Sequence, residues 1–171
     1  MPQKNLGIIG GGQLGSMLSQ AAKKLNIRST IYSDDADAPA QNFCDEFIYG
    51  NYNDKKKVLE FASKVDVITY EFENIPYETL NEMDKLKSVL PKPSVNRLIQ
   101  HRIAEKDFIN KLNIRTTRYV SIEKKTDIEK LGDFLPGILK TTTMGYDGKG
   151  QYPLKKIEDV NSLNIDFSKE Y

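Results

Sequence analysis

The sequence predicts an α/β chain in which a Rossmann-like parallel-sheet domain is followed by a smaller α+β region. Three stretches carry that expectation. The chain opens as strand, glycine-rich turn and helix, with G-x-G-x-x-G falling on Gly10, Gly12 and Gly15. Pro91-Lys-Pro93 then interrupts the alternation, placing a domain boundary there and giving domains 1–92 and 93–171. Further on, Ile138-Leu-Lys140 reads as a short strand ending in a lysine. It runs into a glycine loop, Lys140 to Gln151, before the chain turns back.

Asn5-Leu-Gly-Ile-Ile9 reads as a buried strand. The helix after the turn sets Leu14, Met17, Leu18, Ala21, Ala22 and Leu25 at helical spacing, which predicts an inward apolar stripe. Ile27 to Tyr32 is the second strand and ends before Asp34 and Asp35. An acid about 20 residues beyond the glycine turn completes a dinucleotide fingerprint. The same turn holds any phosphate against a helix N-terminus, and its glycines also serve plain packing. Phe43, Phe47 and Ile48 belong to a short segment against the sheet. Asp54 caps a helix carrying Val58, Leu59 and Ala62. Lys55, Lys56 and Lys57 sit at its unfavourable dipole end and read as a solvated charge run. Val65 to Tyr70 is a third strand and delivers Glu71 and Glu73 at its C-terminal end, where open parallel sheets bind ligands. Two acids there suit ribose hydroxyls or an amine, although capping the next helix is an alternative use for Glu73. That helix starts near Pro76 and groups Leu80, Met83 and Leu86; Ser88-Val-Leu90 is a fourth short strand.

Past the boundary, Ser94 opens a helical region to Leu112 whose stripe of Val95, Leu98, Ile99, Ile109 and Leu112 also carries Arg102. An inward arginine needs an anion, because an unpaired buried charge is costly. A neighbouring carboxylate or a ligand phosphate meets that need equally. His101, the single histidine, reads as a surface side chain without a role. Asn113 to Val120 leads into a strand, Glu123 to Leu131 is a charged amphipathic helix, Leu135 to Lys140 is the strand before the loop, and Gln151 to Lys155 pairs back. The loop holds Gly145, Gly148 and Gly150, the hydroxyls of Thr141, Thr142 and Thr143, and the pair Tyr146-Asp147. Closely spaced glycines bring backbone N–H groups close to an anion, and a strand-end lysine supplies a point charge suited to phosphate. A glycine-containing hairpin is the plain alternative, and no Gly-Lys-Ser/Thr closes onto a helix as a Walker loop requires.

Lys140 followed by Gly145-Tyr-Asp-Gly-Lys-Gly-Gln151 resembles the nucleotide loop of the ATP-grasp ligases, and the Tyr-Asp pair resembles that of the N5-carboxyaminoimidazole ribonucleotide synthetases. The resemblance runs from Asn5 to Gln151. It implies a pre-ATP-grasp domain followed by the first part of an ATP-grasp fold. It implies ATP contacts at Arg102, Lys140, Gly145, Tyr146, Asp147, Gly148, Lys149, Gly150 and Gln151. It also implies that the substrate, 5-aminoimidazole ribonucleotide, meets Gln13, Leu14, Glu71, Glu73 and Tyr146. Asp147 and Lys149 are the implied catalytic residues, Asp147 orienting the substrate amine or taking its proton and Lys149 facing carboxylate or phosphate. The implied reaction phosphorylates bicarbonate with ATP and passes the carboxyl group to that amine. Mg²⁺ is expected with the nucleotide, its ligands lying C-terminal to this chain, so the chain is expected to be the inactive N-terminal part of a homodimeric enzyme. Two departures stand out: Met144 occupies a position where many relatives have glycine, and Thr141 to Thr143 replace a more basic run.

Composition restricts the alternatives. The chain of 171 residues has a formal net charge of +1, which gives no electrostatic case for nucleic acid or an anionic membrane. Its one cysteine, Cys44, precludes an internal disulfide and a cysteine-rich zinc site, and a reducing cytoplasm is the expected compartment. Three rival readings remain open. One is an NAD-dependent oxidoreductase using Gly10, Gly12, Gly15 and Asp34; the others are a non-catalytic nucleotide-binding module and a sibling ATP-grasp enzyme with another amine substrate.

Overall fold

The computed structural model describes residues 3–145, 148–163, 165–166 and 171, and the chain divides into two compact units, Met1–Arg97 and Leu98–Tyr171. The first is built on a four-stranded, all-parallel sheet of β1 (Asn5–Ile9), β2 (Arg28–Ser33), β3 (Glu46–Tyr49) and β4 (Val67–Tyr70), in the order β3-β2-β1-β4. Strand β1 is flanked on both sides, with Ile8 opposite Ile31 and Thr69. Both of its faces are covered, so consecutive residues are apolar: Ile8 joins Ile31 and Ala40 in one core, while Ile9 joins Tyr32, Phe61 and Ile68 in the other. The segment around Phe47, expected to lie against the sheet, is one of its strands, with Phe47 paired to Ile31. Ser88 to Leu90 contributes only a parallel bridge between Ile68 and Val89. Pro91 follows at once and has no N–H with which to extend a ladder.

Helix α1 (Gln13–Lys24) corrects part of the expected apolar stripe: Ala22 is buried and Leu18 packs half-buried on the Ile8 core, but the other large residues do not turn inward. It buries Gly15, Ser16, Ser19 and Ala22, whereas Leu14, Met17 and Leu25 are 54%, 63% and 72% exposed. Close approach is the reason. A Cβ on Gly15 would stand 2.7 Å from the Gly10 carbonyl oxygen, so no side chain fits at that position of the helix. In α2 (Lys55–Ser63) the Asp54 carboxylate caps as expected, accepting the Lys57 N–H at 3.1 Å, and Val58, Phe61 and Ala62 turn inward. Helix α3 (Tyr77–Asp84) buries Leu80 and Met83 but stops before Leu86, which is exposed.

The expected single helical region after Pro93 is two helices, α4 (Pro93–Ile99) and α5 (Arg102–Lys111). His101 separates them and caps α5: its Nδ1 accepts the Ala104 N–H at 3.4 Å. The histidine expected to be idle therefore has a structural task. Helix α5 buries none of its residues. In the second unit a 3₁₀ helix, Lys125–Phe134, stands where an α-helix was expected. The Asp127 carboxylate gathers the N–H groups of Glu123 and Lys124 at 3.1 and 3.2 Å, and Gly132 and Pro136 both disfavour continuation as α-helix. Strands β5 (Gly137–Lys140) and β6 (Gln151–Leu154) pair antiparallel with Lys140 opposite Gln151, and a short α6 (Asp159–Ser162) follows. Ile122, Ile128, Leu131, Leu139, Leu154, Val160 and Tyr171 form this unit's core.

One helix-ending signal occurs in both units. Lys24-Leu-Asn-Ile-Arg-Ser-Thr30 and Lys111-Leu-Asn-Ile-Arg-Thr-Thr117 differ at a single position. Asn26 and Asn113 adopt φ of 56° and 60°. The next residues donate back into the helix, Ile27 N–H to the Ala22 carbonyl at 2.9 Å and Ile114 N–H to the Ile109 carbonyl at 3.3 Å. That is the Schellman arrangement, with asparagine in the left-handed position usually held by glycine. After the first copy the chain enters β2. After the second, residues 114–120 form no strand among the described residues, contrary to expectation.

Candidate functional site

Strand order reverses between β1 and β4, so the C-terminal ends of these two strands bound the crevice in which open α/β sheets bind ligands. The glycine turn leaves β1 there. Gly10 takes φ +101° and donates to the Tyr32 carbonyl at 2.9 Å, which aims the turn across the end of the sheet. Glu71 leaves β4 beside it, and its Oε1 accepts the Gly12 N–H at 3.0 Å. The carboxylate lies close over the turn: a Cβ on Gly10 would stand 2.6 Å from Oε1, and one on Gly12 3.0 Å from it. Gln13 and Leu14 begin α1 exposed, and Glu73 is half-buried in the segment after β4. Asp34 is exposed directly after β2.

This geometry bears on the ligand. In a dinucleotide site the turn's N–H groups face a pyrophosphate. Here the Gly12 N–H is already engaged by the Glu71 carboxylate, so a phosphate at the start of α1 is left the N–H groups from Gln13 onward. Hydroxyl or amine donors, by contrast, suit a carboxylate acceptor.

In the second unit Arg102 opens α5 and turns toward the glycine loop. Its backbone N–H donates to the Thr142 carbonyl at 2.9 Å, its Nε to the Thr141 carbonyl at 3.1 Å and its Nη2 to the Gly145 carbonyl at 2.9 Å. The partner of the expected inward arginine is thus the loop backbone, reached along one edge of the guanidinium. Thr141 is buried and lies under both ends of the loop. Cβ atoms on Gly145 and Gly150 would come within 2.9 and 2.6 Å of its Oγ1, and its N–H donates to the Gly150 carbonyl at 2.9 Å. Gly148 and Gly150 take φ of +79° and +67°, and Met144 takes +58° although it carries a Cβ. Lys140 ends β5 half-buried opposite Gln151, without a carboxylate in ion-pair range among the described residues. Lys149 lies exposed between the two glycines. Tyr146 and Asp147 lie outside the described residues.

The structure therefore brings Arg102, Gly145 and Gly150 together around Thr141, a residue that the sequence reading noted only as part of a threonine run. It also brings Glu71 to Gly10 and Gly12. Among the described residues no group of three or more His, Cys, Asp or Glu side chains is placed to hold a metal ion, and no helix is long and apolar enough to cross a membrane.

Residues 3–100 match the family model of the ribonucleotide synthetase preATP-grasp domain, and residues 107–170 match that of the ATP-grasp domain. The chain is 38% identical over 165 residues to an N5-carboxyaminoimidazole ribonucleotide synthase from Brucella melitensis, covering 95% of this chain and 46% of that one. Its fold superimposes with a TM-score of 0.87, at 35% identity, on N5-carboxyaminoimidazole synthetase from Staphylococcus aureus complexed with ADP, covering 93% of this chain and 43% of that one. N5-carboxyaminoimidazole synthase from Aspergillus clavatus, in complex with ADP and 5-aminoimidazole ribonucleotide, gives a TM-score of 0.80 at 25% identity, covering 94% of this chain and 43% of that one. The chain spans less than half the length of these relatives.

Proposed function

Since the chain belongs to the ribonucleotide synthetase preATP-grasp family and runs on into an ATP-grasp domain, we propose that it supplies the N-terminal part of an ATP-dependent carboxylase of purine synthesis. In this reading ATP and bicarbonate give carboxyphosphate and ADP. Carboxyphosphate releases phosphate and CO₂, and the exocyclic amine of 5-aminoimidazole ribonucleotide forms the new C–N bond and gives up a proton. The observation that carries it is the anchored glycine loop, in which Lys140 and Arg102 supply two cations at a strand-end backbone with closely spaced positive-φ glycines. Phosphoryl transfer rests on positioning and charge neutralisation, which such a loop provides.

The residue roles follow from chemistry. Lys140 is assigned to the nucleotide phosphates as a point charge, and Gly145, Gly148, Gly150 and Gln151 offer backbone N–H groups. Arg102 adds a second cation through Nη1, which has no bond to the loop among the described residues. Lys149 is assigned to the carboxylate or phosphate formed during the reaction, and Asp147 to the amine proton, with Tyr146 beside the substrate. Glu71 and Glu73 are assigned to substrate hydroxyls, and Gln13 and Leu14 to its ribose phosphate. Mg²⁺ bound with the nucleotide would neutralise phosphate charge, its ligands supplied outside this chain. A homodimer and a cytoplasmic location belong to the same proposal. The NAD-dependent alternative leaves Arg102, Lys140 and the anchored glycine loop without a task.

The test is to follow the reading frame past the codon for Tyr171 and assay the extended protein for labelled bicarbonate incorporation. Activity is expected only with both ATP and 5-aminoimidazole ribonucleotide, none is expected from residues 1–171 alone, and Lys140→Ala lowers it by roughly 100-fold. A frame that stops there, or an extended protein that binds NADH and incorporates no bicarbonate, ends this reading.

A further inference from the structure

The bonds from Arg102 bracket one strained residue. Its backbone N–H holds the Thr142 carbonyl and its Nη2 holds the Gly145 carbonyl, on either side of Met144. Met144 sits at φ +58°, and its side chain is 67% exposed. A residue with a Cβ is disfavoured in that conformation, and an exposed side chain recovers little through packing. The surroundings must therefore hold it. Gly145 allows the close approach: a Cβ there would stand 3.2 Å from Arg102 Nη2 and 2.9 Å from Thr141 Oγ1.

We propose that Arg102 is a positioning residue, whose guanidinium fixes residues 141–145 and sustains the left-handed Met144 before any nucleotide arrives. The loop backbone is then set in advance, which lowers the ordering cost of binding a phosphate chain. The planar fork matters here as much as the charge. Nε and Nη2 point along one edge in fixed directions and reach two carbonyls four residues apart in sequence, whereas a lysine ammonium is a single point on a flexible stem. The use of the set loop rests on the nucleotide reading above, but the positioning itself does not.

The experiment is backbone 15N relaxation on the 171-residue chain in the absence of nucleotide. Arg102→Lys is expected to lower the order parameters of residues 142–145 from about 0.85 to below about 0.6, while the β5–β6 hairpin keeps its values. Arg102→Lys combined with Met144→Asn is expected to recover most of that order, because asparagine accepts the left-handed backbone, as Asn26 and Asn113 do in this chain. Unchanged order at 142–145 in Arg102→Lys overturns the proposal. So does a loss of order shared by the hairpin, which would mark general loosening, or a double variant no better than Arg102→Lys. No nucleotide is present, so failure here is distinct from failure of the carboxylase reading, which a separate ADP titration of the unaltered chain addresses.

Discussion

Gly10 and Glu71 show how much of this fold rests on two residues occupying adjoining space. With φ +101° and Glu71 Oε1 2.6 Å from where its Cβ would lie, Gly10→Ala meets both backbone strain and a steric clash. We expect it to cost about 2–4 kcal/mol in urea unfolding. Glu71→Ala should cost about 1 kcal/mol through the lost bond to the Gly12 N–H. The double variant should cost less than the sum of the two, because the clash disappears while the strain stays; strict additivity would show that the carboxylate does not lie over the turn. The sequence announces each residue separately, Gly10 through its spacing and Glu71 through its place after a strand. Their meeting is invisible in it, since the bonded pair Gly12 and Glu71 is 59 residues apart and joined only through sheet order. Thr141 is harder still: it sits within three identical residues, and only the fold distinguishes the one beneath the loop.

Elements were legible to the extent that local rules decided them. Asp54 capped α2 and the β5–β6 hairpin paired back because a capping carboxylate and an alternating strand act on their own neighbours. The break between α4 and α5 escaped notice because it depends on His101 turning its ring nitrogen back to the Ala104 N–H. The two Leu-Asn-Ile stops fold alike, yet one precedes a paired strand and the other does not, since pairing requires a neighbour that no local signal supplies. At the end of α3, Asp84 accepts the Val89 N–H at 2.8 Å and Lys92 Nζ at 2.9 Å, tying the helix to the segment that follows. The Val89 N–H first, and Lys92 second, hold its carboxyl below the usual range. A lowered folded-state pKa means that this contribution is complete above the unfolded value of about 3.9 and is lost as pH falls below it through the folded value. Unfolding midpoints at pH 6, 4 and 3 should show the unaltered chain ahead of Asp84→Asn at pH 6, with the gap closing toward pH 3. A constant gap would assign the difference to something other than this titration.

On the scale of the whole chain, each unit carries its own core. The first encloses Ile8, Ile9, Ile31, Phe61, Ile68 and Leu80 around a continuous parallel sheet, whereas the second has a two-stranded sheet and an α5 that buries nothing. Residues 1–99 alone should therefore unfold cooperatively, with β1 amides as protected as in the whole chain. Within the whole chain, α5 amides should exchange faster than those of β1. Loss of the parallel sheet in the shortened protein, followed by circular dichroism and exchange, would overturn this. The sequence places a boundary at Pro91-Lys-Pro93, whereas the two compact units divide between Arg97 and Leu98, inside α4, where no punctuation marks the change. The sheet order was not visible in the sequence, because parallel pairing is long-range. One consequence concerns how this chain tolerates change. On α1 and its C-cap the greasy residues Leu14, Met17 and Leu25 face outward, while Leu18 is half-buried and the small ones, Gly15, Ser16, Ser19 and Ala22, face in. Drift from leucine to glutamine at Leu25 should leave stability unmoved, while a single added methyl group at Gly15 should not, so this helix inverts the usual guide to which positions hold the fold.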